Sequence, residues 1–219
     1  MAKARLEEEA RRKLEEAGKD PAQAVVSERA QANFTDPQSR IMHTPDGFQQ
    51  CYNAQAAVDA ESQVIVACEV SQAPPDVQRL RPMLEQLIEL NGRAPAELSA
   101  DAGYASEANF AALAAAGVYA VIALRRYRRD EPPGADPARA RSTNRWPHRN
   151  KMRERLYSAE GKQKYKLRKQ TVEPVFGQIK AARGFRQFLR RGLEAVQAEW
   201  ALVCTAHNLL KLAKAGLPA

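Results

Sequence analysis

Along this chain of 219 residues the spacing of apolar positions changes several times. Over residues 1–32 only a thin stripe of Leu6, Ala10 and Leu14 interrupts charged positions, which predicts a charged helical extension able to bury little by itself, ending at the polar joint "AGKDPAQ". From Asn33 the period shortens. "NFTDPQSRIM", "QQCYNAQAAVD" and "QVIVACEVS" are separated by the turn-rich "HTPDG" and "AES", and they predict three consecutive antiparallel strands.

The period then lengthens to that of a helix in "PPDVQRLRPMLEQLIELNG", where Leu80, Met83, Leu84, Leu87 and Ile88 share a face and Gly92 supplies the stop; Pro82 predicts a late start or a bend. "AELSAD" predicts a short strand ending on Asp101. A helix follows with Ser106 as its N-cap and Gly117 as its end, and then a strand over "VYAVIAL". The order β-β-β-α-β-α-β places a crossover helix before each of the last two strands, as parallel pairing requires. One mixed α/β sheet is expected, with strand one beside strand four. Residues 125–157 are basic and broken by Pro and Gly, which predicts an inserted arm. The C-terminal part returns to helix, with Leu193, Val196, Trp200, Val203, His207 and Leu210 on one face. His207 there is expected to be a hydrogen-bonded core residue rather than a ligand.

Composition changes this picture mainly through charge. The chain carries +8 overall, but residues 125–193 hold 21 Lys+Arg against 6 Asp+Glu, leaving the remainder net acidic. So dense a basic block on an otherwise acidic globular part is the footprint of a polyanion binder, although a solvated basic linker has the same composition. Three widely spaced cysteines and three histidines form no CxxC pair or zinc pattern, so packed, reduced thiols are expected and any metal would be a hard cation held by carboxylates. The first twenty residues have no apolar run and the longest apolar stretch is too short to span a bilayer, so no membrane association is expected and the expected location is cytoplasmic.

Within the basic block, "YKLRKQTVEPVFGQIK" contains a single acid, Glu173. A helical ion pair with Lys169 would account for it at about 0.3–0.5 kcal/mol. The expected topology offers a second account. Asp36 on strand one would face Asp101 at the end of strand four, with Glu173 brought over them by the last helical segment. Converging carboxylates repel one another unless a cation such as Mg²⁺ or Mn²⁺ joins them, and two such ions suit in-line phosphoryl displacement. Asp46, Asp59 and Asp76 compete for the first position on spacing alone.

"NFTDPQSRIM", "GFQQCYNAQAAVD", "SADAGYASEANF", "YKLRKQTVEPVFGQIKAARGFRQFLRRG" and "EWALVCTAHNLLKL" closely resemble, in order over about residues 31–214, the catalytic domain of bacterial insertion-sequence DDE transposases. The resemblance implies a ribonuclease-H-like domain over 33–219, DNA transposition by metal-dependent cleavage and strand transfer, and two Mg²⁺ or Mn²⁺ ions held by Asp36, Asp101 and Glu173. It implies double-stranded DNA as partner, both transposon ends and target, a nucleoid-associated location and a possible homodimer. In the family's Tyr-Arg-Glu-Lys signature, Tyr165, Glu173 and Lys180 match; the Arg falls to Arg168 or Lys169, and these basic and aromatic residues would contact DNA. Two departures stand out. Relatives often carry an acid where this chain has Gln38, which leaves the first Asp open, and Pro174 after Glu173 predicts a bend or a start in the signature helix. Since residues 1–32 do not resemble the family's end-binding helical domain, the resemblance also implies an N-terminally truncated copy, and a non-catalytic remnant that only binds DNA is the alternative.

Overall fold

The computed structural model describes residues 33–44, 46–124 and 146–216, together with 7, 8, 10–12, 14, 15 and 18–26, with the backbone alone at residue 169. The helical extension expected over 1–32 falls mostly outside the described residues. So does the greater part of the basic arm, residues 125–145.

Six strands form three two-stranded sheets. β1 (Arg40–Thr44) and β2 (Gly47–Cys51) make a hairpin. β3 (Asn53–Val58) and β4 (Ile65–Ser71) make a second, in register from Asn53↔Ser71 to Ala57↔Ala67, with an irregularity at Ala57/Val58. β5 (Glu97–Ala100) and β6 (Tyr119–Ile122) pair in parallel from Glu97↔Tyr119. The molecule is thus mixed α/β, but the expected three-stranded meander and single mixed sheet do not form among the described residues.

The local reasons lie in two short stretches. Asp36 and Pro37 form a turn instead of a strand: Ser39 donates to the Asp36 carbonyl from both its N–H and its hydroxyl, and the Asp36 carboxylate accepts the Gln38 N–H. Asp36 therefore precedes β1. In "QQCYNAQAAVD" the chain breaks at Tyr52, giving its two halves to different sheets.

The helices follow the sequence more closely. α1 (Leu80–Asn91) takes Pro82 in its first turn, where the missing N–H costs nothing, buries Leu80, Leu84 and Leu87, and ends at Gly92 with φ 69°. α2 (Glu107–Ala115) is capped by the Ser106 hydroxyl, which accepts the Asn109 N–H. Residues 147–157, expected as part of the arm, form α3 (Pro147–Tyr157). Its two leading N–H groups, of His148 and Arg149, donate to the Glu107 carboxylate at 2.8 and 2.9 Å, and Met152 and Leu156 are buried beneath it.

α4 (Ala159–Gly177) runs through Pro174. Pro174 has no N–H for the Gln170 carbonyl, and Gln63 Nε2 donates to that oxygen instead. A π-helical turn, Gln178–Ala182, follows directly. α5 (Leu193–Gly216) buries Val196, Trp200, Cys204 and His207. His207 bonds to Gln63 O through Nε2 and to Arg183 Nη1 through Nδ1, a core histidine as expected. Gln63 has φ 57°, an uncommon conformation for a residue with a Cβ, and its side chain and backbone join α4 to α5.

Two apolar cores result. One packs α1, α2 and α3 on β5 and β6 around Phe110, Leu113 and Ile122. The other packs α4 and α5 on the β3–β4 hairpin around Val175, Ile179 and Trp200, whose indole N–H donates to Gln55 O while Phe176 stacks on the ring at 5.9 Å. Cys51, Cys68 and Cys204 are free thiols. Among the described residues no helix is long and apolar enough to cross a membrane.

Candidate active site

Asp101 follows the last residue of β5, so it stands at the carboxyl end of a parallel pair, where open α/β sheets present their ligands. Its Oδ1 accepts the Gly103 N–H at 2.8 Å and caps the short turn Ala102–Tyr104. Asp76, on the turn before α1, comes to the same place from the other side. Asn53 Nδ2 and Gln55 Nε2 hold its Oδ1 at 2.7 and 2.9 Å. Both amides belong to β3, and their period-two spacing sets them on one face.

Gly103 lies between the two acids. A Cβ there would sit 2.7 Å from Asp76 Oδ2 and 3.0 Å from Asp101 Oδ1, so the two oxygens flank one methyl-sized space that only glycine leaves open. Tyr104 closes the floor by donating its hydroxyl to Gln55 Oε1. Burial pushes the Tyr104 phenol well above its ordinary range, and the charges of Asp76, Asp101 and Glu69 push it further. Glu69 is itself paired with Arg79 at 2.9 Å, and its other oxygen is buried without a hydrogen-bond partner. Negative potential is therefore concentrated at the carboxyl end of β5.

The other nominated residues stand apart from this pair. Glu173, on α4, has a side chain 58% exposed and lies 3.8 Å from Arg168 Nη2. Arg168 also covers the Tyr165 ring at 5.4 Å, and its Nε is buried without a partner. Three signature residues thus form one local cluster. Lys180 lies in the π-turn with its ammonium 5.8 Å from the Phe176 ring; the wider π-turn takes it off the helical register that would align it with Glu173. The Lys169 side chain lies outside the described residues.

Asp36 has a different setting. It is 8% exposed, and both of its oxygens accept from the Tyr52 hydroxyl at 2.8 and 2.9 Å. Oδ1 also accepts the N–H groups of Gly192 and Gln38 at 3.3 Å. Gln38 accepts the Leu193 N–H at 2.7 Å through Oε1. Together Asp36 and Gln38 satisfy leading N–H groups of α5, where a carboxylate also suits the helix dipole. Burial and the Asp36 charge push the Tyr52 phenol upward.

Asp36, Asp101 and Glu173 are accordingly not brought together. Among the described residues no group of three or more His, Cys, Asp and Glu side chains is placed to hold a metal. Of the three competitors for the first position, Asp46 sits at the tip of the β1–β2 hairpin and Asp59 binds Ser62 in the β3–β4 loop; Asp76 alone meets Asp101. Asn53 and Gln55 carried no assigned role in the sequence. Their polar side chains, two apart on an otherwise apolar strand, were the available signal.

A family model described as "Transposase DDE domain" matches residues 24–209. The chain belongs to that family, a class of DNA-transposing proteins, and the match covers every residue nominated above. No curated protein and no solved structure matches the chain.

Proposed function

We propose that this chain is the catalytic domain of a DNA transposase, cutting phosphodiester bonds at transposon ends and joining them to target DNA, on a ribonuclease-H-like plan. The observation that carries this reading, beside the family, is the Asp76–Asp101 pair around Gly103 at the carboxyl end of β5. In this reading Asp101 and Asp76 are the first two acids and Glu173 is the third; α4, which bears Glu173, packs against β5 and β3. Asp36 serves instead to hold α5.

The donor set consists of carboxylate oxygens, which fits Mg²⁺ or Mn²⁺ in chemistry. Bound there, such ions supply a nucleophile at neutral pH and neutralise charge on the reacting phosphate. The protein's own part is to fix the acids through Asn53, Gln55 and the Gly103 N–H, and to draw the DNA backbone to them. Arg168 and Lys180, with Lys169, are the phosphate contacts in this reading; they position the duplex without reading its sequence. Arg168 suits that task because its Nε is buried without a partner in the protein.

A second reading, a chain that binds DNA without cutting it, is favoured by one observation: no three acids are assembled. Mn²⁺-dependent nicking of supercoiled plasmid separates the two. Nicking by the parent chain, lost in folded Asp101→Ala and Glu173→Ala proteins, supports the catalytic reading. A chain that binds plasmid and never nicks it under Mg²⁺ or Mn²⁺ sinks that reading in favour of the binding one.

A further inference from the structure

Two strand edges face each other across this molecule without bonding. On the outer edge of β4, the Val70 N–H donates to Gln197 Oε1, and Ile65 exchanges two bonds with the Asn208 side chain, so helix α5 covers that edge. Since successive residues of an antiparallel strand alternate in direction, Glu69 and Ser71 must bond inward to Gln55 and Asn53. Ala54 and Ala56 then direct their N–H and C=O groups away from β4. The same logic applies to β5. Tyr119 N donates to Ala96 O, so even-numbered residues of β5 serve β6, and Glu97 and Ser99 turn outward. Among the described residues none of these four backbone positions has another hydrogen-bond partner.

The two edges belong to one packed unit. Gln55 of β3 reaches both Tyr104 and Asp76 at the carboxyl end of β5, helix α4 packs on β3 and β5 together, and α1 packs on β4 while burying Leu80 and Leu84 with Leu98 and Ala100. The crossover through α1 makes β4 and β5 parallel, so β3 and β5 run in opposite directions. A single strand lying between them would pair antiparallel with β3 and parallel with β5.

We propose that this slot receives one extended strand of a partner polypeptide. Its chemistry follows from the walls. Helices cover both faces of the slot, so the strand is a continuous run of four or so apolar, mainly β-branched residues rather than an alternating one. That excludes the exposed hairpin of a second copy, because "RIMHT" and "GFQQC" alternate or are polar. Parallel to β5, the guest strand ends beside Asp101 and Asp76, so its partner completes the sheet at the edge where the carboxylates stand. This inference is independent of whether those carboxylates act on DNA.

Amide hydrogen exchange of the full chain tests it, with the peptide acetyl-Lys-Val-Ile-Val-Val-Asp-amide as probe. Alone and dilute, the protein should exchange the Ala54, Ala56, Glu97 and Ser99 amides fast while Leu98 and Ala100 are protected. Saturating peptide should slow the four by about tenfold or more, and the same peptide N-methylated at alternate residues should not. Ser99→Pro removes an outward N–H and no bond to β6, so it should abolish the peptide's effect at Ala54 and Ala56 with Leu98 still protected. Fast exchange unaltered by the peptide overturns the proposal. So does protection already present in the dilute protein, or protection that grows with protein concentration, which would assign the slot to a second copy.

Discussion

Asp36 and Asp101 are both aspartates in motif-rich segments, yet their surroundings are opposite. Asp36 is buried and its oxygens are claimed by a tyrosine hydroxyl and two backbone N–H groups. Asp101 accepts one protein N–H and faces a second carboxylate across the space above Gly103. A carboxylate whose lone pairs are filled by the protein is a joint. One with lone pairs to spare, beside another acid, is available to a cation or a substrate. Residue type and motif do not separate these cases; the count of protein donors does.

The comparison breaks most sharply through activity. Asp101→Asn should lower Mn²⁺-dependent nicking by about 10³-fold or more, a loss near 4 kcal/mol in the transition state, with the melting temperature unchanged. Equal nicking by parent and variant would remove Asp101 from the chemistry. Asp36→Ala should do the reverse. It leaves the Tyr52 hydroxyl and two N–H groups without their acceptor, costing about 3 kcal/mol in urea unfolding, while the folded fraction nicks at the parental rate. A stable Asp36→Ala protein that cannot nick would restore Asp36 to the site.

Gly103→Ala sharpens the contrast without touching a charge. The added methyl meets Asp76 Oδ2 at 2.7 Å, so Mn²⁺ affinity measured by calorimetry should weaken about tenfold, with the Asp36 corner unaffected. Unchanged affinity would mean that the pair does not share a ligand. Smallest is the alkaline limb of stability. Tyr52 titrates above its ordinary 10.0 in the folded state, so its contribution is complete below that pH and is lost as pH climbs beyond it. Tyr52→Phe should therefore lower stability by about 1.5 kcal/mol at pH 8 and flatten the fall in melting temperature between pH 9 and 11. A slope identical to the parent's would show that this phenol is not linked to folding.

Helix positions were legible because they depend on local signals. Ser106, Gly92, Gly117 and the apolar stripe of α1 act within one or two turns, and each does in the structure what its spacing implies. α3 was not legible: its segment is basic, contains Pro147, and is held by Glu107 from 41 residues away. The sheet failed for a related reason. Strand pairing is decided by distant partners, and the break at Tyr52 reflects that residue's bond to Asp36 rather than any turn residue.

By itself the sequence determined the family, the succession of helices, the basic block and the acids from which a site can be made, since these depend on composition and short-range spacing. Only the tertiary structure decided which acids meet. Asp76 was one of several candidates until the amides of β3 and the bare Cα of Gly103 brought it against Asp101, and Asp36 was a candidate until α5 claimed it. The reason is physical: the use made of a carboxylate depends on the donors around it, and those come from segments far away along the chain.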